Sequence, residues 1–168
     1  MQMLHNEPAS RADPWQLSLA QFGESHQALA LELRALLHVC AQPGAAPAAS
    51  DTVARHCLAF QQAMSHHHAE EESELFPAVL EAAGSGPLAA RARDEINHLT
   101  GQHRTLEAQW QGMRPVLEAA DANTRAAAHE RLQAFVTGYL GHAQHEEGTF
   151  LPFARALLRQ PAGGAAAE

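Results

Sequence analysis

Four stretches of this chain repeat apolar residues at steps of three and four, and each repeat is interrupted by a histidine. The first reads Leu19, Phe22, His26, Leu29, Leu33, Leu36, Cys40. The second reads Val53, Cys57, Phe60, Met64, His67, Glu71, then Glu74 or Leu75. The third reads Ile96, Leu99, His103, Leu106, Trp110, Met113, and the fourth Leu132, Phe135, Tyr139, His142, Glu146, Phe150, Phe153. Such steps keep one face of an α-helix turned toward a core. No stretch alternates with the period of two that marks a strand. Short connections favour antiparallel neighbours, so the pattern predicts an all-α, up-down-up-down antiparallel four-helix bundle.

Punctuation between the stretches agrees with this. The first helix stops at "AQPGAAPAAS", and Ser50 or Asp51 is a good N-cap for the second. The second ends at "GSGP", where Pro87 suits the first turn of the third. Pro115 predicts a kink or early end there, and Asn123 or Thr124 opens the fourth helix. The expected organisation is an N-terminal extension over 1–14, the bundle over 15–159 and a disordered tail over 160–168.

Charge and composition exclude several classes. The net charge is −8, and no cluster of Lys and Arg exists to meet a phosphate backbone, so the chain is expected to bind no nucleic acid. No apolar run approaches the ~18 residues of a membrane span, and the start lacks the basic and apolar regions of a signal peptide. A cytoplasmic protein is the expectation. Cys40 and Cys57, the two cysteines, fall on seam positions and read as buried free thiols. The excess is in histidine: twelve, against eleven Lys and Arg together.

That excess resolves into a repeated motif. Residues 66–77 read "HHHAEEESELFP" and residues 142–152 read "HAQHEEGTFLP". Aligning Pro77 with Pro152 puts His67 over His142, Glu71 over Glu146 and Glu72 over Glu147. The alignment and the helical seams select the same pairs, His67 with Glu71 and His142 with Glu146. At i, i+4 both side chains of a pair occupy one helix face. His66 and His68 then point elsewhere, as solvated or supporting groups. The other two helices each supply one seam histidine, His26 and His103. At a rise of ~1.5 Å per residue all four imidazoles fall at one level of the bundle.

Four imidazoles and two carboxylates in an apolar interior would carry a large desolvation cost unless something compensates them. A metal does so by coordination. Imidazole with carboxylate suits divalent iron, manganese or zinc rather than calcium or magnesium. Six ligands exceed a four-coordinate zinc site and suit two ions, with Glu71 and Glu146 bridging. The Glu-x-x-His pattern of ferritin-like bundles is absent.

On His26, "HHAEEESELFP", His103 and "HAQHEEGTFLP", the chain resembles the hemerythrin-like (HHE cation-binding) domains over about residues 15–155. The resemblance implies a non-haem, carboxylate-bridged di-iron centre with His26, His67, Glu71, His103, His142 and Glu146 as ligands, zinc or manganese being possible substitutes. It implies binding of O2, NO or a related small ligand, or iron sensing and handling under oxidative or nitrosative stress. The sequence departs from the oxygen carriers in two places. Leu99 stands where they have a second histidine one turn before the third-helix ligand, with His98 off the seam. Glu146 stands at i+4 where they have a later aspartate. A four-histidine set leaves more open positions on one iron and predicts fast autoxidation.

A peroxidase- or oxidase-like enzyme is the alternative expectation, and a structural bundle without a functional metal the third. Tyr139 reads as core, with the option of a hydrogen bond near the metals. Glu72, Glu147 and His145 are placed to orient ligands. Trp15 and Trp110 read as packing residues, and His5, His38, His56 and His129 follow no pattern.

Overall fold

The structure, a computed structural model, describes residues 14–41, 47–121 and 124–159. Among the described residues, six α-helices and two π turns follow one another as α1 (Pro14–Ala41), α2 (Pro47–Glu70), a π turn (Glu71–Leu75), α3 (Phe76–Ala83), α4 (Pro87–Ala119), α5 (Arg125–His145), a second π turn (Glu146–Phe150) and α6 (Leu151–Leu158). No strand occurs among the described residues. Because each π turn continues the helix that contains it, these elements form four rods: α1, α2 with α3, α4, and α5 with α6. Each rod packs on the next, and α1 closes the square against α5, which is the expected antiparallel four-helix bundle. The expected extension and tail lie outside the described residues save Pro14, which opens α1, as do His5 and the side chain of Trp15.

Every apolar residue named in the four seams is buried except Phe153, and Leu75 rather than Glu74 continues the second seam. They divide into two cores. The upper core joins Leu29 to Cys40, Val53 to Met64, Leu106 to Leu117 and Ala128 to Tyr139, around Trp110, whose ring is tilted 58° to that of Phe60 with centroids 4.5 Å apart. The lower core joins Leu19 and Phe22 to Leu75–Ala83, Ala89–Leu99 and Phe150–Leu157. Between them lies a layer of buried polar side chains. Cys40 and Cys57 are both buried thiols of the upper core, and burial pushes Cys57 up to about 12.

The π turns account for the prolines of the repeated motif. In each turn a backbone N–H reaches back five residues, Phe76 to the Glu71 carbonyl and Leu151 to the Glu146 carbonyl. Pro77 and Pro152 follow directly. In an unbroken α-helix each ring would press on the carbonyl four residues back, and the wider π turn relieves that clash. The extra residue also shifts the seam. Below the turns it resumes as Phe76, Val79, Ala83 and as Leu151, Ala154, Leu157. Phe153 is thereby rotated to a half-buried position, where Arg91 sits 4.3 Å from its ring centroid.

Two expectations about helix ends are corrected and a third is met. Helix α2 begins at Pro47, ahead of Ser50 and Asp51, since proline needs no N–H partner in a first turn. Helix α4 runs through Pro115 to Ala119, because Pro115 is exposed and the orphaned Gln111 carbonyl on that side can meet water. The fourth rod starts after Thr124, as expected, but its hydroxyl makes no cap within the helix. Instead the Thr124 backbone N–H and hydroxyl both donate to Asp121 Oδ1 at 2.9 Å. Between α3 and α4 the chain reverses at Gly84 and Gly86, whose φ values of 61° and 84° favour glycine.

Replacing Pro115 by Ala restores one backbone hydrogen bond on a solvent face. We expect Pro115→Ala to raise stability by about 2 kcal/mol, read from the midpoint of urea unfolding.

Candidate metal centre

The polar layer is built by all four rods. His26 comes from α1, His67 from the end of α2, Glu71 from the first π turn, His103 from α4, His142 from the end of α5 and Glu146 from the second π turn. All six are buried, the two carboxylates completely. The structure brings together every residue selected by the seams and the repeat.

It also adds one. His68, expected to point away, is 1% exposed and lies flat against His103, with ring centroids 3.9 Å apart. Neighbours on a helix diverge by about 100°, but a rod in a square bundle faces two partners at about a right angle. His67 therefore turns toward His26 on α1, while His68 turns toward His103 on α4. The seam rule keeps only one of these directions; the tripled histidine was the available signal. Leu99, one turn before His103, stays in the lower core, so the fifth imidazole comes from the second rod. The expectation of fast autoxidation rested on four histidines, and the layer holds five buried imidazoles.

The ligand atoms form two groups. In one, atoms of His26, His67, Glu71 and Glu146 lie within 4.8 Å of one another; in the other, atoms of His68, His103 and His142 do. Both carboxylates touch both groups. Glu71 lies 3.6 Å from His67 Nε2 and 3.3 Å from His103 Nε2. Glu146 lies 2.8 Å from His26 Nε2, 3.5 Å from His103 Nε2 and 3.4 Å from His142 Nε2. Ligands held about 2.1 Å from a common cation are separated by roughly 3.0–3.4 Å, and these separations cluster around that range.

The outer ring nitrogens fix the imidazoles. His26 Nδ1 meets Glu147 at 3.2 Å, His68 Nδ1 meets Glu107 at 3.0 Å, His103 Nδ1 meets Glu72 at 2.9 Å and His142 Nδ1 meets Gln102 at 2.9 Å. When Nδ1–H donates outward, the Nε2 lone pair is left facing the centre, the arrangement metal-binding histidines use. Arg104 in turn holds Glu72. Glu72 and Glu147 thus each hold an imidazole of the layer, His103 and His26. His145 does not; it pairs with Glu95 at 3.0 Å. His66 pairs with Glu70 and is 72% exposed.

Inside this ring most donor atoms lack a hydrogen bond, the exceptions being Nε2 of His26 and His67, which meet at 2.8 Å. Nε2 of His68, His103 and His142 and all four carboxylate oxygens of Glu71 and Glu146 make no hydrogen bond. Buried polar groups in that state are costly, and a cation is the one species that satisfies lone pairs on every side. The donor set therefore fits a metal.

Ionisation follows the same logic. Burial, then contact with neighbouring imidazoles, lowers His67 and His68 to about 3, and burial lowers His142 to about 4, so all three are neutral at pH 7. Burial pushes Glu71 up to about 7, with the charge of Glu146 adding to it. Burial works against His103, but Glu146, Glu71 and Glu72 outweigh it and hold it up at about 10. Burial opposes Glu146 as well, yet His103 and His26 keep it well below the usual carboxylate range. Protons on His103 and Glu71 thus do part of the work a dication would do.

A helical bundle with a buried layer of imidazoles and carboxylates fits a metal-binding helical protein. The sequence matches the Hemerythrin HHE cation binding domain family over residues 18–154, and the chain belongs to that family. No curated protein and no solved structure matches it significantly. No helix among the described residues is long and apolar enough to cross a membrane.

Because His103 is held protonated and Glu71 is pushed toward its neutral form in the metal-free protein, cation binding displaces protons. We expect roughly one to two protons released per chain when Zn(II) is added at pH 7, followed with an indicator dye in weak buffer. Uptake without release would contradict the assigned ionisation.

Proposed function

We propose that this protein holds two non-haem iron ions bridged by Glu71 and Glu146. His26 and His67 face one ion, and His68, His103 and His142 face the other. The observation that carries this reading is the set of unpartnered Nε2 and carboxylate atoms, all turned inward and grouped around two positions. Membership of a cation-binding family supports it, and the mixed imidazole and carboxylate donors suit iron, with zinc or manganese as substitutes.

Bound iron would supply the redox-active coordination positions at which O2, NO or a related small ligand attaches. The chain's own contribution is positional. Glu147, Glu107, Glu72 and Gln102 hold the imidazoles in one tautomer, and the two apolar cores exclude bulk water from above and below. We assign the protein to small-ligand binding or iron handling under oxidative or nitrosative stress, in the cytoplasm.

The test is metal content of untagged protein made in iron-supplemented medium. The reading expects about two irons per chain, a steep loss in Glu71→Ala, and loss of roughly half the iron or more in His68→Ala. Trace metal unaffected by either substitution would exclude it. Iron should also raise the melting temperature and a chelator lower it, since a ligand that binds only the native state stabilises it.

A further inference from the structure

Tyr139 poses a problem that packing does not solve. It sits on α5 one turn before His142, fully buried, and its hydroxyl has no hydrogen-bond partner. The ring itself is well accounted for: it packs edge-on against Phe60 at 5.6 Å and lies 6.3 Å from the His142 ring. A phenylalanine would make the same contacts. The hydroxyl adds only a desolvation penalty unless something in the interior accepts from it.

Its surroundings narrow what that acceptor is. Tyr139 is the last residue of the upper core before the polar layer, and the carboxylates of Glu146 and Glu71 bear on its phenol. Their charge, after burial, raises the phenol well above its ordinary range, so the group stays an O–H donor. With a metal bound, the inward Nε2 and carboxylate atoms would be taken up as its ligands, and the Nδ1 atoms of four imidazoles meet polar side chains on the outer side. A small ligand seated among the metals would find few donors in this interior, and Tyr139 supplies one.

We propose that Tyr139 is a positioning residue whose phenol donates a hydrogen bond to a small exogenous ligand, an anion or diatomic with an electron-rich terminal atom, bound at the metal centre. The inference rests on the dinuclear reading. It differs from the packing role because it assigns a function to the hydroxyl rather than to the ring.

The experiment compares wild type with Tyr139→Phe, using azide as the ligand. In metal-free protein the unfolding midpoint of the variant should equal or exceed that of wild type, because no bond within the fold is lost. In iron-loaded protein the iron content should be unchanged, while azide binds about tenfold more weakly. The infrared stretch of bound azide should shift in D2O for wild type and not for the variant. A lower midpoint in the metal-free variant would place the hydroxyl in a bond within the fold and overturn the proposal. So would unchanged azide affinity at full iron content. Failure of wild type to take up iron would instead remove the dinuclear reading, and the role of Tyr139 with it.

Discussion

Two fully buried carboxylates, Glu71 and Glu146, set the terms for the rest of this molecule. An isolated carboxylate in an apolar interior is unstable unless it is neutralised, paired or coordinated. Here imidazoles from all four rods surround the pair, and the two fill one layer between two dry cores. The layer fixes the mutual height of the rods, since sliding any one of them would bury a histidine against aliphatic side chains. It also explains the π turns: both begin at the carboxylate residue and end before a conserved spacing to proline within the chain's own repeat.

Support for the layer extends outward. Each oriented imidazole leans on a polar side chain nearer the surface, and Glu72 is itself held by Arg104. His67 is the exception, with Nδ1 unpartnered and its position set instead by Phe22, 5.9 Å away, and by His26. Rigidity in the donors therefore comes from two sources, outer hydrogen bonds on four imidazoles and, on the fifth, ring packing with a 2.8 Å contact to His26 Nε2. Preorganisation of this kind favours a cation of one size and geometry over a flexible oxygen-rich cage.

Much of this was legible in the sequence because the seams and the motif repeat are independent and agree. His26, His67, His103 and His142 break apolar seams, so their burial follows from periodicity alone, and Glu71 and Glu146 follow from the repeat. What periodicity hides is anything off the seam or beyond a change of register. His68 lies one residue from a seam position and is buried because its rod has two neighbours. Phe153 was placed on a seam that the π turn had already shifted. Pro115 breaks a helix only where its lost hydrogen bond faces the interior, and burial cannot be read from the proline itself.

The central claim is that the inward donors surround two metal ions. Anomalous diffraction at the iron edge, on crystals of iron-loaded protein, tests it most directly. The account predicts two peaks, both in contact with Glu71 and Glu146, one beside His26 and His67 and the other beside His68, His103 and His142. A single peak, or iron bound away from this layer, would contradict it.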